Sequence, residues 1–218
     1  MQTKDIEEPK DRRDVFTILV LHGYMQNKLT VSRPLKKLLK PTPQVRVRVI
    51  IPEGPFIVQN TDKPVTEQSV PRGWWLRPTN SLTEPFSYDG LDESVRAVEN
   101  ALEGADVDMV VGFSQGSVFG TLLLAMGKLP KCKSAVFYGA SGVQDPHLAA
   151  TITNKITVPA LFVQGTKDPF CSMEDARQLG AYYTDTTYDT HKWGHVIPSD
   201  ATSRDSLWKF RMWNNKSV

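Results

Sequence analysis

Short apolar runs alternate with helix-like segments along most of this sequence, and this alternation constrains the fold more than any other feature. The strand-like runs lie at 16–21, 45–51, 108–112, 135–138, 160–163 and 186–190. The helix-like segments between and after them lie at 35–39, 91–102, 117–127, 172–183 and 199–213. Apolar strands separated by helices form parallel sheets that are covered on both faces. The sequence therefore predicts an α/β fold with a mostly parallel central sheet and helices on both faces.

Local signals place the ends of several helices. Ser32 is predicted to cap the first helix, with Pro34 in the first turn, where a missing N–H is tolerated. A spacing of four, three and four predicts a later helix from Leu91, Val95, Val98 and Leu102. Gly104 ends that helix, and Ser172 is predicted to cap another. The helix at 117–127 is apolar nearly all round, which predicts that it is buried.

The 218 residues suit one domain. Residues 1–14 mix acids and bases without an apolar run, which predicts a flexible N-terminal tail and one domain over 15–218.

An insertion at 52–88 interrupts the alternation of strands and helices. It holds six of the 15 prolines and the pair Trp74-Trp75. Irregular segments of this length inside a compact domain are usually functional.

Charge and composition exclude several classes of function. The net charge of +2, with no basic stripe, argues against nucleic-acid binding. No apolar run approaches the roughly 20 residues that a transmembrane helix needs. Two cysteines, Cys132 and Cys171, make neither a disulfide framework nor a zinc site, which favours a reducing, cytoplasmic location. No metal-binding motif is present, so we expect no metal, and the oligomeric state is left open.

A candidate nucleophile lies between the apolar run at 108–112 and the apolar helix that follows. Residues 112–116 read Gly-Phe-Ser-Gln-Gly and match G-x-S-x-G. On a tight strand-to-helix turn, this motif exposes the serine at the carboxyl end of a sheet. Gly112 and Gly116 allow neighbouring backbone to approach closely. The context therefore predicts that Ser114 is a nucleophile rather than an incidental turn serine.

A serine hydroxyl needs an imidazole to take its proton and a carboxylate to orient that imidazole. Of the histidines after Ser114, His195 lies in the loop between the last strand and the last helix, from which it can reach the serine. His191 shares that loop and is the alternative base. His147 follows a proline away from any strand end and is predicted to lie on the surface.

Asp168 is the preferred acid because it follows the strand at 160–163 on a tight turn. From this position its carboxylate can point at the histidine loop. Asp175 is predicted to be a first-turn helix charge. Asp145 and Asp185 are predicted to be solvated loop residues.

An oxyanion hole is expected from backbone N–H groups after the first strand and after the serine. The predicted donors are Tyr24 and Gln115, with Met25 as an alternative if the register shifts by one. His22 is predicted to be structural because it leaves the first strand before the site.

The aromatic side chains of the insertion have two interpretations that the sequence leaves open. Trp74, Trp75, Leu76 and Phe86 could line an acyl-binding pocket above Ser114. They could equally anchor the insertion onto the sheet. Cys171, three residues after Asp168, is predicted to be a buried or half-buried thiol without a catalytic role.

These motifs, taken together, resemble the FSH-type serine hydrolases. The resemblance covers roughly residues 15–213. It depends on the segments Leu21–Asn27, Arg72–Trp75, Val111–Gly116, Gly165–Asp168 and Gly194–Pro198. It implies a compact α/β-hydrolase fold, a triad of Ser114, Asp168 and His195, and esterase activity toward acyl esters. Acyl-protein thioesterases and related carboxylesterases share the Gly-Phe-Ser-Gln-Gly motif, but the Arg-Gly-Trp-Trp segment favours the first family.

Three hypotheses of function follow. The first is a serine hydrolase that cleaves a small-molecule acyl ester through an acyl-enzyme and needs no cofactor. The second is the same chemistry on a thioester, such as an S-acylated protein. The third is a protein of this fold that binds a ligand or partner without turnover.

Overall fold

A computed structural model of the chain describes residues 15–39, 46–58, 70–77 and 86–214. The predicted tail at 1–14 and parts of the insertion, at 59–69 and 78–85, lie outside these residues. The strands are β1 (Val15–Leu21), β2 (Arg46–Ile50), β3 (Phe56–Ile57), β4 (Arg72–Gly73), β5 (Met109–Phe113), β6 (Ser134–Tyr138), β7 (Ala160–Gly165) and β8 (Thr186–His191). The helices are α1 (Lys28–Leu38), α2 (Leu91–Leu102), α3 (Gln115–Ala125), α4 (Pro146–Thr151), α5 (Met173–Gly180) and α6 (Ala201–Asn214).

The centre of the fold is a six-stranded sheet in the order β2-β1-β5-β6-β7-β8. All of its neighbouring strands are parallel. The prediction of a parallel sheet is therefore confirmed. The insertion adds β3 and β4, which form a separate antiparallel pair.

Alternate residues of each strand pack into one of two apolar cores. Leu19, Val110 and Phe137 lie in the core that includes α2, α3 and α5. Ile18, Val111 and Val136 lie in the opposite core, which includes α1 and α6. Helix α3 is buried over its first nine residues, as its uniformly apolar sequence predicts. The sheet is thus covered on both faces, which explains its largely apolar strands.

The strand order reverses at β1, since the chain moves from β1 to β2 on one side and later to β5 on the other. In open α/β sheets, this reversal leaves a crevice outside the carboxyl ends of the two strands. The loop after β1 and the turn after β5 meet there. The topology therefore places the sequence motifs around Gly23 and Ser114 at the edge where ligands bind in such folds.

The prediction that Ser32 caps the first helix is wrong. Helix α1 begins four residues earlier, and Asn27 caps it, with its side-chain oxygen accepting from the Thr30 N–H at 2.9 Å. The Thr30 hydroxyl accepts from the Asn27 N–H at 3.2 Å in return. Pro34 lies inside the helix, where it removes one backbone hydrogen bond. The reciprocal Asn27–Thr30 pair sets the start of the helix.

The prediction that Asp145 is solvated is also wrong. Asp145 is 4% exposed and caps the short helix α4. Its Oδ1 accepts from the N–H groups of His147 and Leu148, at 2.9 and 3.1 Å. Its Oδ2 accepts from the Tyr88 N–H at 2.9 Å. The carboxylate thus ties the end of the insertion to α4, a long-range role that no local signal reveals.

No helix in the described part of the chain is long and apolar enough to cross a membrane.

Candidate active site

Ser114 lies on the sharp turn between β5 and α3. Its backbone has φ of 53° and ψ of −118°, a strained conformation for a residue with a Cβ. Its N–H donates to the Tyr138 carbonyl at the end of β6, at 2.9 Å. The neighbouring strand therefore helps to hold the turn that presents this serine at the carboxyl edge of the sheet.

Two glycines make this turn sterically feasible. A Cβ at Gly112 would lie 2.5 Å from the Gly116 carbonyl oxygen. A Cβ at Gly116 would lie 2.2 Å from the Leu21 carbonyl oxygen. Both distances are far below contact, so α3 can start this close to β1 and β5 only because both residues are glycine.

Asp168 and His195 meet at the ends of β7 and β8. The His195 Nδ1 lies 2.7 Å from the Asp168 Oδ2. A carboxylate can only accept, so Nδ1 carries a proton in this hydrogen bond. The second carboxylate oxygen accepts from the N–H groups of Phe170 and Cys171, at 2.8 and 3.0 Å. The Asp168 side chain is 1% exposed, so these three hydrogen bonds replace its contact with water.

Backbone hydrogen bonds join the loops that carry these two residues. The Thr166 N–H donates to the His191 carbonyl at 2.7 Å, and the Lys167 N–H donates to the Trp193 carbonyl at 3.1 Å. These bonds continue the β7–β8 pairing beyond the sheet. A Cβ at Gly165 would lie 2.4 Å from the Trp193 carbonyl oxygen, so the close approach of the loops requires glycine there.

The His195 ring is held between aromatic residues and a glycine. Its centroid lies 4.7 Å from that of Phe113 and 5.3 Å from that of Phe170. A Cβ at Gly139, just after β6, would lie 2.8 Å from the His195 Cε1. Because Phe113 precedes Ser114 and Gly139 follows Tyr138, these contacts bring the imidazole to the strand ends that hold the serine.

Gly139→Ala is expected to displace the imidazole and to lower kcat of any reaction that depends on His195 by roughly 10–100-fold, since small misplacements of reacting groups have large effects. Gly127→Ala is the matched control. Both glycines have positive φ, 55° and 67°, but a Cβ at Gly127 would meet nothing within 4 Å. Both variants should lose similar stability from backbone strain. Equal kcat values for the two would show that the Gly139 contact does not position His195.

The alternative histidines lie in different surroundings. His191 is the last residue of β8 and is 8% exposed, and its Nδ1 accepts from the Trp193 N–H at 3.3 Å. Burial lowers the pKa of His191. His147 is exposed on α4, as predicted. The structure therefore pairs the Asp168 carboxylate with His195 rather than with either alternative.

The two other candidate acids also have local roles. Asp175 forms a reciprocal cap with Ser172 at the start of α5, which confirms that it is a first-turn helix charge. Asp185 is exposed just before β8.

The predicted oxyanion donors lie on two neighbouring turns. Tyr24 and Met25 form the turn after β1, which the Gln26 N–H closes on the Gly23 carbonyl at 3.2 Å. Met25 has φ of 60°. Gln115 is the first residue of α3, so its N–H has no acceptor within the helix. The roles of the Tyr24 and Gln115 N–H groups in holding an oxyanion stay predictions.

The Gln115 side chain has a role that the sequence did not indicate. Its Oε1 accepts from the Trp74 N–H and its Nε2 donates to the Trp75 carbonyl, both at 2.9 Å. The Trp74 indole N–H donates to the His22 carbonyl at 2.8 Å. The residue after Ser114 thereby fastens the insertion onto the sheet edge.

The two tryptophans of the insertion are buried. Trp74 is 0% exposed and Trp75 is 2% exposed. The Trp75 ring stacks on Tyr88 with centroids 4.0 Å apart, and Trp74 packs against Phe119 at 4.7 Å. These contacts fit the anchoring interpretation. Direct contact of substrate with Trp74 or Trp75 stays a prediction.

His22 is enclosed beneath the insertion. Its Nδ1 donates to the Gly23 carbonyl at 2.8 Å, and its Nε2 accepts from the Gly54 N–H at 2.9 Å. Its ring stacks on Trp74 with centroids 4.8 Å apart. Burial lowers the pKa of His22 to about 4. Both ring nitrogens are engaged, so the interpretation of His22 as structural is consistent with its contacts.

Protonation of His22 predicts acid sensitivity of the fold. The unfolded histidine binds a proton below about pH 6.5, whereas folded His22 resists protonation down to about pH 4. Acid therefore favours unfolding, and the free energy of unfolding should fall by roughly 3 kcal/mol from this group as the pH drops through that window. His22→Gln should have a lower free energy of unfolding than wild type at pH 7. As the pH drops through the same window, this free energy should fall by roughly 3 kcal/mol less than in wild type. The free energy of unfolding is measured by urea titration at a series of pH values. His147→Gln should show the same pH dependence of this free energy as wild type. The same pH dependence in His22→Gln would contradict the prediction.

The nearby thiol is not activated. Cys171 is 7% exposed, and burial raises its pKa to about 12. Within the described ranges, no group of three or more His, Cys, Asp or Glu side chains is placed to hold a metal ion.

Comparisons with known proteins identify the family and the fold. Residues 13–207 match the family described as Serine hydrolase (FSH1). The chain is 26% identical to Esterase OVCA2 of Mus musculus over 221 residues, covering 91% of this chain and 96% of that relative. It is 28% identical to Esterase OVCA2 of Homo sapiens over 180 residues, covering 73% of this chain and 75% of the relative. Among solved structures, esterase PE8 aligns with a TM-score of 0.66 and 16% identity, over 91% of this chain and 92% of that one. The fold is the α/β-hydrolase fold, and the chain belongs to the FSH1 serine hydrolase family.

Proposed function

We propose that this protein is a carboxylic ester hydrolase that cleaves small-molecule acyl esters through a Ser114–His195–Asp168 triad. One observation carries the proposal. The buried Asp168 carboxylate holds His195 at 2.7 Å, at the sheet edge where the strained Ser114 turn lies. Membership of an esterase-containing family supports the same chemistry.

The first half of the reaction forms an acyl-enzyme. The Ser114 hydroxyl attacks the ester carbonyl carbon while the His195 Nε2 takes its proton. The hydrogen bond from Nδ1 to Asp168 keeps the proton on Nδ1 and stabilises the imidazolium that forms. His195 then passes the proton to the alcohol oxygen as the carbon–oxygen bond breaks, and the acyl group stays on Ser114.

Charge on the carbonyl oxygen grows in the tetrahedral intermediate. The backbone N–H groups of Tyr24 and Gln115 are proposed to donate hydrogen bonds to this oxygen. The N-terminus of α3 adds a favourable partial positive charge. A water molecule, activated by His195, then releases the acid and restores Ser114. This sequence of steps requires no cofactor.

The same steps apply to a thioester, which makes the thioester hydrolase the alternative within this chemistry. Hydrolysis rates on an ester and a thioester of the same acyl and leaving chains decide between them. We expect the ester to be cleaved with the higher kcat/KM. A strong preference for the thioester would assign the protein to the alternative class.

The two cysteines are free and buried, which fits the proposed cytoplasmic location.

Labelling with a fluorophosphonate probe tests the proposal. An activated serine should be phosphonylated within minutes at micromolar probe, and mass spectrometry should locate the adduct on the peptide that contains Ser114. Heat-unfolded protein is the control and should not react. An unlabelled native protein would favour the non-catalytic binding hypothesis, and a label on another serine would overturn the assignment of the nucleophile.

A further inference from the structure

A cavity of about 260 Å³ borders His195 on the side of α1, and we call it the α1 cavity. Its apolar walls are Val31, Pro34, Phe113, Val196 and Ile197. Its polar walls are Gln26, Thr30 and His195. We infer that this cavity binds the leaving group, the alcohol part of the ester, and selects uncharged and mostly apolar alcohols. The inference rests on the proposed function and adds to it the identity of a substrate subsite.

The chemistry of His195 indicates which part of the ester lies there. His195 gives its proton to the departing oxygen, so that oxygen must lie within hydrogen-bond distance of the imidazole. The carbonyl oxygen points elsewhere, toward the N–H groups after β1 and β5. The group attached to the departing oxygen therefore extends along the wall that contains His195. The α1 cavity includes this histidine and the two residues after it.

Phe113 joins the cavity to the nucleophile. It immediately precedes Ser114, and its ring contacts the His195 ring with centroids 4.7 Å apart. A Cβ at Gly23 would lie 2.9 Å from the Phe113 Cδ1, so the same ring also packs against the loop after β1. The ring thus forms a wall between the histidine loop and the loop after β1. The cavity therefore shares one wall residue with the turn that carries Ser114 and another, His195, with the proposed triad.

The size and polarity of the cavity limit the alcohol. An apolar cavity of about 150 Å³ holds one benzene, so 260 Å³ holds roughly ten non-hydrogen atoms. Among the residues that the structure describes, no Asp, Glu, Lys or Arg lines the cavity. A charged alcohol would lose its hydration there without gaining an opposite charge. A compact, branched, neutral alcohol fits best.

A matched pair of esters tests the polarity. 3,3-Dimethylbutyl butyrate and butyrylcholine have the same acyl group and almost the same alcohol shape, but only the second alcohol is cationic. We expect kcat/KM of the wild-type protein to be at least about tenfold higher for the neutral ester. Equal values, or a preference for butyrylcholine, would overturn the selection for uncharged alcohols.

Two variants test the location from opposite walls. Val196 is 46% exposed, so Val196→Trp can narrow the cavity without entering the core. Pro34→Phe narrows it from α1, away from the histidine loop. For each, kcat/KM for 3,3-dimethylbutyl butyrate relative to methyl butyrate should fall about tenfold. The rate at which the butyryl-enzyme is hydrolysed, measured in single-turnover experiments with p-nitrophenyl butyrate, should fall much less because the alcohol has already left.

Val15→Trp is the matched control. Val15 is 39% exposed and begins β1 at the opposite edge of the sheet, so this variant should keep the wild-type ratio. If both cavity variants keep the wild-type ratio of kcat/KM for the two butyrate esters, the inference is overturned. It is also overturned if kcat/KM of the variants changes with the length of the acyl chain instead of the size of the alcohol. If wild type cleaves no ester and Ser114 is not labelled, the proposed function has failed. If it cleaves esters but the ratio does not respond, only this inference has failed.

Discussion

Ser114→Ala is expected to lower kcat for ester hydrolysis by about 10⁶-fold, the effect of removing the nucleophile of a serine triad. Alanine lacks the hydroxyl that is proposed to form the acyl-enzyme. The residual rate should come from the remaining binding and electrostatic groups. The measurement is the initial rate on p-nitrophenyl butyrate with protein purified to exclude contaminating esterases.

Backbone strain supplies a second readout for the same position. Ser114 has φ of 53°, which any residue with a Cβ adopts at a cost. Alanine also has a Cβ and keeps this strain, so Ser114→Ala should melt at nearly the wild-type temperature. Ser114→Gly should be equally inactive but melt a few degrees higher, since strain of about 1–3 kcal/mol is relieved and partly offset by the entropy of glycine.

Ser117→Ala is the control for both readouts. Ser117 lies on the same helix and is buried, with its hydroxyl bonded to the Tyr138 carbonyl at 3.2 Å. It should keep most of the activity. If Ser114→Ala retained more than about one-tenth of the wild-type rate in folded protein, Ser114 would not be the nucleophile.

The features that sequence predicts well here are those with a local physical cause. The strand after residue 108 and the apolar helix after Ser114 both show their burial in their own composition. Gly112 and Gly116 indicate that backbone segments approach closely at these positions, because no other residue permits it. Asp168 and His195 could be chosen because parallel strands bring their carboxyl-end loops to one edge of the sheet.

The features that sequence reasoning missed depend on partners distant in the chain. Gln115 holds the backbone of Trp74 and Trp75, about 40 residues away, and nothing near Gln115 indicates this. Asp145 resembles a loop acid until the Tyr88 N–H, 57 residues away, is seen to reach it. The start of α1 is an exception, because its signal is local. Asn27 and Thr30 form a cap that is visible in the sequence, but Pro34 suggests a later start.

The choice between His191 and His195 shows where sequence reasoning becomes uncertain. The two residues lie four apart in one segment, and both could in principle reach a carboxylate after β7. The structure separates them because β8 extends to His191 and fixes it in the sheet. The chain turns back at Trp193 and Gly194, and this turn allows His195 to face Asp168. Pairing of the Lys167 N–H with the Trp193 carbonyl makes that turn.

Asp168→Asn is expected to lower kcat by about 10⁴-fold while leaving the fold intact. The amide oxygen can still accept from the Phe170 and Cys171 N–H groups, so the loop keeps its hydrogen bonds. The amide nitrogen then faces the His195 Nδ1 and donates to it. The imidazole proton moves to Nε2, which can no longer take the proton of Ser114. The loss should appear in kcat and in the rate of probe labelling together.

Asp145→Asn separates this effect from the loss of a buried carboxylate in general. Both aspartate side chains are buried and accept from backbone N–H groups, but of the two only Asp168 accepts from a histidine ring. Asp145→Asn should lower the melting temperature and keep most of the kcat. Combining Asp168→Asn with His195→Ala should cost little more than His195→Ala alone, because the carboxylate acts through the imidazole. Additive losses in that double variant would mean that Asp168 acts independently of His195, and the triad assignment would then be wrong.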